Sequence, residues 1–511
     1  MFVLGYRLSP SETGRSCDFA QDDRESKAQH DRGAEAHHDG RAFAMSGDAL
    51  VSDELPKGTA ATALIMVLGA LPTMLDSTIV NVAINGLART FNTDLAMMQW
   101  AVTGYVLAMG VAVPFSGWLI KRLDGKTIYM AALAAFLVGS LLSALSWSVT
   151  SLIVFRLLQG FAGGILMPLL STIAVQLAGG SQNLGKLMSI VGIPAVFAPI
   201  IGPVVGGLIM QYLPWNWLFL VNLPIGLIGL VGLQLKLPKF PPVDKSAKLD
   251  WPGVILLAIV SGALIYGVTE VVKLGERTIG VIFLVLGGGA LIAYIAYALK
   301  RRDQALISLD LFSSRNFTAA FISLFLAGFA TNGPMLLFPM FFQNVRGLSV
   351  ITSALWLIPQ GLGMLIARPQ VGKLTDRVGA RYVVLPAIAL TLAGTIPFAF
   401  FDAQTSPWWV WLVLLVRGAG IGGFVVPLMA DSFVGLTKTQ VPTASVATRI
   451  IQNVGAAFGS AVLATVATTA LTRQGNLTAA YHAGFVASLI FMIVGVVPAL
   501  FLTNRLHVRH I

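Results

Sequence analysis

Fourteen apolar stretches of about span length follow one another between Leu64 and Leu502, with hardly a charge inside them. A bilayer's hydrocarbon core is about 30 Å thick, and a helix needs about 20 mostly apolar residues to cross it. The stretches fall near 62–84, 96–120, 128–147, 151–177, 187–212, 217–235, 251–272, 279–299, 317–342, 350–371, 382–401, 408–434, 442–470 and 482–503. The loops between them are short, which leaves no room for a large soluble domain. The pattern predicts an all-α polytopic membrane protein.

Composition agrees. Hydrophobic residues make up 56% and charged residues 11%, against about 25% charged in a soluble domain. The 52 glycines suit helices packed backbone to backbone, because lipid gives apolar side chains no reason to prefer a partner helix. Cys17 is the lone cysteine, which excludes an internal disulfide and a thiolate metal cluster.

A net charge of +11 raises the question of nucleic acid, but the distribution answers it. With the N-terminus placed in the cytoplasm, the inward loops and C-terminal tail carry eighteen lysines and arginines, among them Lys121, Arg122, Lys239, Lys300, Arg301 and Arg315. The outward loops carry five: Arg89, Lys273, Arg277, Arg346 and Arg473. Such asymmetry is the positive-inside rule, and it supports an even number of spans with both termini cytoplasmic. The basic charge is a topology signal, and nucleic acid is not an expected partner.

Residues 1–57 read differently, polar and mixed in charge. They cannot bury enough apolar surface to fold, and they lack the continuous apolar core of a signal peptide. The expectation is a disordered tail or a mis-assigned start, with Met45 the alternative first residue. The remainder divides into a six-helix bundle over 58–236, a linker with two inserted spans over 237–310, a second six-helix bundle over 311–505 and a tail over 506–511.

An internal repeat underlies that division. Gly163-Gly164 is followed by Pro168 in the fourth span, and Gly422-Gly423 by Pro427 in the twelfth, with Arg156 and Arg417 ahead of them. Two related halves with a substrate site near the midplane are the architecture of many secondary transporters. The loop after the tenth span resembles the signature of the major facilitator superfamily, complete at Gly372, Leu374, Asp376, Arg377, Gly379 and Arg381. Its first copy, Gly117 to Asp124, has Lys121 where that signature has Asp, and Asp124 where it has Gly. Arg156-Leu-Leu-Gln159-Gly160 is similar to the superfamily's fourth-span motif. Gly202-Pro203-Val-Val-Gly206-Gly207 is similar to the fifth-span motif of its antiporters, with Ser189 and Ala198 in place of two upstream glycines. Leu75-Asp76-Ser-Thr78-Ile-Val-Asn81-Val-Ala83 and Trp215-Asn-Trp217 through Gly226 resemble the fourteen-spanner drug:proton antiporter branch, the EmrB/QacA type.

The resemblance implies two six-helix bundles plus two extra helices. It implies multidrug-type efflux of small amphiphilic or cationic compounds across the cytoplasmic membrane against proton entry, with no cofactor beyond the proton gradient. A periplasmic adaptor with an outer-membrane channel is left open as a partner. It also implies that the fifth span, through Gly202, Pro203, Gly206 and Gly207, seals one side of the path. Asp376 and Arg377, with Gly372, Gly379 and Arg381, would form a charge latch at a rocking interface. Two other readings stand beside this: a transporter of one defined metabolite, and a non-transporting membrane scaffold or sensor.

The physics of the intramembrane charges is independent of the resemblance. Ionisable side chains at membrane depth are costly and face a bundle interior or a water-filled cavity. The candidates are Asp76, Arg156, Glu270, Arg368, Arg417, Asp431 and Arg449. Asp76 lies about fifteen residues into its span, about 22 Å along the axis at 1.5 Å per residue. Burial favours its neutral acid and a nearby arginine its carboxylate, so a group between those influences can take and release a proton. The alternative is a structural carboxylate bonding helix ends or Thr78. Arg156, always charged, is the expected counter-charge, with Gln159 as a further partner. Arg449, with Gln452 and Asn453, resembles a thirteenth-span pattern of the same branch, which implies a place along the path, and Asp431 is expected on the path as a second titrating site or else as an interfacial residue.

Enzyme chemistry finds no footing. Gly180 to Lys186 imitates a phosphate-binding loop, but Leu187 replaces the hydroxyl residue that magnesium needs and no strand precedes it. The six histidines stand at 30, 37, 38, 482, 507 and 510, too scattered for a metal site or a triad.

Overall fold

The computed structural model describes residues 58–504 apart from 179–183, 193, 243–244, 247, 272–274, 302–304 and 438. The N-terminal tail with Met45 and the C-terminal tail lie outside the described residues. Among the described residues the chain is helical, with no strand. The helices are α1 (Thr59–Thr90), α2 (Leu95–Arg122), α3 (Gly125–Ala144), α4 (Val149–Ala178), α5 (Leu184–Val191), α6 (Pro194–Tyr212), the short α7 (Trp217–Leu220) and α8 (Asn222–Lys236). They continue with α9 (Trp251–Glu270), α10 (Arg277–Arg301), α11 (Arg315–Asn344), α12 (Val350–Leu355), α13 (Ile358–Val378), α14 (Arg381–Ala393), α15 (Pro407–Asp431), α16 (Val441–Gln474), α17 (Leu477–Val494) and α18 (Val496–Ala499).

Twelve helices among the described residues are long and apolar enough to cross a membrane, so the chain is a multi-pass membrane protein. The two expected spans that fall short are 187–212 and 350–371. Each is interrupted: the first divides into α5 and α6 around Gly192, the second into α12 and α13 around Trp356 and Leu357. Proline explains both breaks, because Pro194 and Pro359 open the second piece and neither can donate the hydrogen bond that would continue the first. The second piece, α13, also ends in Lys373, Asp376 and Arg377, which lowers its apolar character.

Backbone groups in lipid must be satisfied within the protein, and the helix ends show how. Asp94 accepts from the Met97 amide at 2.6 Å to open α2, and Asp124 from Thr127 at 2.9 Å to open α3. Asn476 takes the Thr478 amide at 3.0 Å to open α17. Asp250 opens α9 on Gly253 at 3.1 Å, takes the Leu306 amide at 3.0 Å and also holds the Tyr297 hydroxyl. That one carboxylate ties together both ends of the inserted pair.

Between helices, glycine permits contacts that any side chain would block. A Cβ on Gly229 of α8 would sit 2.8 Å from the Gly69 Cα of α1, and one on Gly280 of α10 would sit 2.3 Å from the Val271 amide nitrogen. The helix α9 rests on α2, where Tyr266 stacks on Trp100 at 5.8 Å. Its partner α10 turns Ile282, Val285 and Ile292 outward, a face suited to lipid. Trp147, Tyr212, Phe400 and Trp408 are 72–79% exposed at helix ends, where an aromatic belt belongs.

A reporter fused after Lys239 or Gly379 should read cytoplasmic, and one after Gln474 external. An external reading after Lys239 would mean that the interrupted 187–212 element does not cross, and the fourteen-span topology would fall.

Candidate functional site

Asp76 and Arg156 meet in the interior of the N-terminal half, and neither has any exposed surface. Asp76 comes from α1, and the Nη1 of Arg156 on α4 donates to its Oδ2. Its Oδ1 accepts from Gln159 Nε2 at 3.0 Å and from Asn222 Nδ2 at 2.9 Å. The Ser140 hydroxyl on α3 receives the same two amides at 3.2 and 2.9 Å and passes its own proton to the Phe219 carbonyl at 3.0 Å. Arg156 also donates from Nε to the Ala101 carbonyl at 3.0 Å and from Nη1 to Gln159 Oε1 at 2.9 Å. Its guanidinium carbon lies 4.1 Å from the Tyr105 ring centroid, a cation–π contact. The Tyr105 hydroxyl in turn donates to the Thr73 carbonyl at 2.9 Å. Two buried polar atoms are left over, Arg156 Nη2 and Asn222 Oδ1.

The arrangement has a definite chemical consequence. The carboxylate has three donors, one of them the Arg156 guanidinium, and removing one partner of a buried ion pair costs about 3–5 kcal/mol. Sequence reading identified Asp76, Arg156 and Gln159 but assigned nothing to Ser140, Tyr105 or Asn222. Only Asn222, polar at the start of an otherwise apolar helix, carried a usable signal.

One turn of α1 away lies a cavity of about 340 Å³ between the two halves of the sequence. Thr73, Met74 and Ser77 of α1 line it, with Met109 of α2 and Met167 of α4. Opposite them stand Asn332 and Met335 of α11, Gln360, Met364 and Arg368 of α13, and Arg449, Gln452 and Asn453 of α16. The 360/364/368 and 449/452/453 spacings put each set on one helical face. Arg449 thus lines the cavity, and Arg368 joins it. Gln159 and Asp76 do not line the cavity; they sit behind the α1 face that does. Among the described residues no aspartate or glutamate lines it.

The repeat is real in space but shifted by one residue from its sequence alignment. A Cβ on Gly160 would meet the Tyr105 carbonyl oxygen at 2.3 Å, and one on Gly418 the Gln360 carbonyl oxygen at 2.0 Å. Gly164 faces Met109 in the same way that Gly422 faces Met364. Gly139 abuts Gln159, and Gly394 abuts Arg417. Arg417 therefore occupies the place of Gln159, and Leu414 that of Arg156. Its guanidinium bonds neutral groups, namely Gln360 Oε1 at 2.7 Å, the Ala330 carbonyl at 3.1 Å and Thr395 Oγ1 at 3.2 Å. Among the described residues no acid pairs with Arg417.

The fifth-span glycines press on α1 beside Asp76. A Cβ on Gly202 would fall 1.9 Å from Thr78 Oγ1, and one on Gly206 2.8 Å from the Ile79 carbonyl oxygen. The Thr78 hydroxyl donates to the Ala198 carbonyl at 3.0 Å. Gly207 faces the other half, with Ile351 3.6 Å from its would-be Cβ. The side chain of Pro203 lies outside the described residues.

The loop motif also joins the halves. Asp376 Oδ1 accepts from the Gly185 amide at 2.8 Å and Oδ2 from Lys186 at 3.0 Å, so a carboxylate of the second half seats on the N-terminus of α5, where the helix dipole favours it. The segment that imitated a phosphate loop ends in this contact. Gly372 and Gly185 pack backbone to backbone there, and Ser189 donates to the Arg368 carbonyl at 2.9 Å. In the degraded copy, Asp124 Oδ1 takes the Phe240 amide at 2.8 Å, just past the end of α8. Gly379 ends α13 at φ 91°, where a side chain would be strained. The Arg381 amide donates to the Thr503 carbonyl at 3.2 Å. Asp431 accepts from the Thr503 amide at 3.3 Å and from its hydroxyl, at the end of α15 near Asp376 and away from the cavity. Glu270 is buried at the end of α9.

Asp376→Asn removes the charge and turns one acceptor into a donor facing an amide. A charge-assisted hydrogen bond is worth about 1.5–3 kcal/mol, so amide exchange over 184–191 should rise about tenfold or more. Unchanged protection would show that this contact does not hold the two halves together.

Comparison with known proteins accords with the geometry. The family model described as Major Facilitator Superfamily matches residues 66–460. A Multidrug resistance protein B homolog of Mycobacterium tuberculosis is 33% identical over 427 residues, 83% of this chain and 79% of that one. The Putative multidrug resistance protein MdtD of Salmonella typhimurium is 30% identical over 367 residues, 71% of this chain and 77% of the relative. Among solved structures, the human organic anion transporter MFSD10 (TETRAN) superposes with a TM-score of 0.61 at 16% identity, covering 87% of this chain and 100% of that one. The proton:xylose symporter XylE superposes with a TM-score of 0.60 at 16% identity, covering 88% and 96%. With its glycine-packed membrane helices, its repeated halves and its loop signature, this chain belongs to the Major Facilitator Superfamily.

Proposed function

We propose that this protein exports small amphiphilic compounds across the cytoplasmic membrane in exchange for entering protons, with Asp76 as the coupling acid and Arg156 as its counter-charge. One observation carries the reading: a single stretch of α1 serves three tasks. Thr73, Met74 and Ser77 line the cavity, Asp76 between them closes the buried ion pair, and Thr78 bears on Gly202 of the interrupted fifth span. A change at any one of the three is felt at the other two. When Asp76 takes a proton, Arg156 loses its only carboxylate and the α1–α4 contact loosens. Departure of the proton on the other side restores the pair and the packing. Relatives named for multidrug resistance support small-molecule export over a scaffold role, and the five cavity methionines suit broad selection, since thioether side chains repack around different shapes.

The excess of basic residues on one set of loops supports cytoplasmic termini, which puts the Asp376 contact on the cytoplasmic side. In a cell with two membranes, a periplasmic adaptor and an outer-membrane channel would be the partners needed to clear the envelope.

The test is transport in proteoliposomes under an imposed pH gradient. Asp76→Asn should cut uphill export at least tenfold, while substrate–substrate exchange, which needs no net proton movement, persists. Asp76→Glu should keep part of the uphill activity, because a titratable group remains. Uphill export by Asp76→Asn with unchanged pH dependence would overturn the assignment.

A further inference from the structure

Arg368 is 4% exposed, lines the cavity, and leaves both Nε and Nη1 without a hydrogen-bond partner. Arg449 faces the same cavity with Nε buried and unpartnered, its one side-chain bond running to neutral Gln452 at 3.3 Å. These two differ in kind from the molecule's other deep arginines. Arg156 is matched by Asp76, and Arg417 spends each guanidinium nitrogen on a neutral acceptor. Around the cavity no described acid offers compensation, and the acid nearest in sequence, Asp76, is withdrawn and already paired. Buried donors left unmade in a low-dielectric site are unfavourable, and a planar guanidinium fits a carboxylate or sulfonate through two parallel bonds.

We propose that the cavity takes an amphiphilic anion, a compound with an apolar, flat body and a carboxylate or sulfonate, with Arg368 and Arg449 as its charge partners. The apolar body would lie against the methionines of α1, α2 and α4, and the anionic head toward α13 and α16. The cavity volume, about 340 Å³, lies in the range of small-molecule sites. Arg368 also reaches the break in the fifth span, where a Cβ on Gly192 would lie 2.3 Å from its Nη1. An anion held by Arg368 thus touches the element that interrupts the path.

The inference takes from the export reading only that this cavity is the substrate site, and its test needs no gradient. Binding to the purified full-length protein in detergent at fixed pH would be measured by titration calorimetry. The probes share one ring system: naphthoate, naphthalenesulfonate, naphthamide and naphthylmethyl-trimethylammonium. The two anions should bind at least about tenfold more tightly than the amide and the ammonium. Arg368→Gln should bring the anions down to the amide's affinity and leave the amide within about twofold, Arg368→Lys should recover part of the difference, and Arg449→Gln should shift in the same direction. Melting curves of each variant identify any that fail to fold, and Arg449→Gln then carries the test. Equal or tighter binding of the ammonium, binding of none of the four, or an intact anion preference in both glutamine variants would overturn the proposal. If the anions bind as stated but are not moved by a pH gradient, the export reading falls and this one stands.

Discussion

The ion pair between Asp76 and Arg156 is the interaction on which the rest of the N-terminal half is arranged. Two charges without solvent exposure are tolerated only when their geometry and surrounding hydrogen bonds offset the loss of water. Here Gln159, Asn222 and Ser140 form that surround, drawn from α4, α8 and α3, while the charges themselves come from α1 and α4. Five polar side chains on four helices therefore fix the packing of the half at one depth. Apolar helices in lipid have little else to set their register, because side-chain burial distinguishes poorly between lipid and protein. The same pair that specifies the packing is the one to which the proposed proton coupling is assigned.

The second half lacks this device, and its absence is informative. Gly418 and Gly422 reproduce the close crossings of Gly160 and Gly164, so the two halves share a scaffold. At the place of Gln159, however, stands Arg417, held by carbonyl and amide oxygens and by Thr395. Among the described residues one half carries a buried ion pair, the other a lone buried cation and a cavity wall with two further arginines. In the proposed mechanism the halves divide the labour, with proton chemistry in the first and the charge that faces a substrate in the second. The Asp376 contact with α5 and the Thr172–Ser445 hydroxyl pair at 2.8 Å join them.

Much of this was legible in the residues. Membrane spans follow from run length, and an acid at depth near an arginine follows from the cost of burying either alone, so Asp76 with Arg156 could be found without coordinates. The breaks in the fifth and tenth elements were hidden because Pro194 and Pro359 stand in apolar runs, and hydropathy does not register a missing amide proton. The repeat was misaligned by one residue because Gly163-Gly164 and Gly422-Gly423 are doublets, and only the facing carbonyls tell which member makes the crossing. Ser140 and Tyr105 gave little sign because each is an ordinary polar residue whose role depends on partners from other helices. Arg368 was recognisable as costly, but its lack of partners is a property of the fold alone.

The central claim is that Asp76 changes protonation as the protein works, and infrared difference spectroscopy of the purified protein reads that change directly. Lowering the pH in the absence of substrate should produce the C=O stretch of a buried protonated carboxyl group. That band should be missing in Asp76→Asn and should shrink when substrate is added. If no such band forms, or if it persists in Asp76→Asn, the ion pair is structural and the coupling acid lies elsewhere.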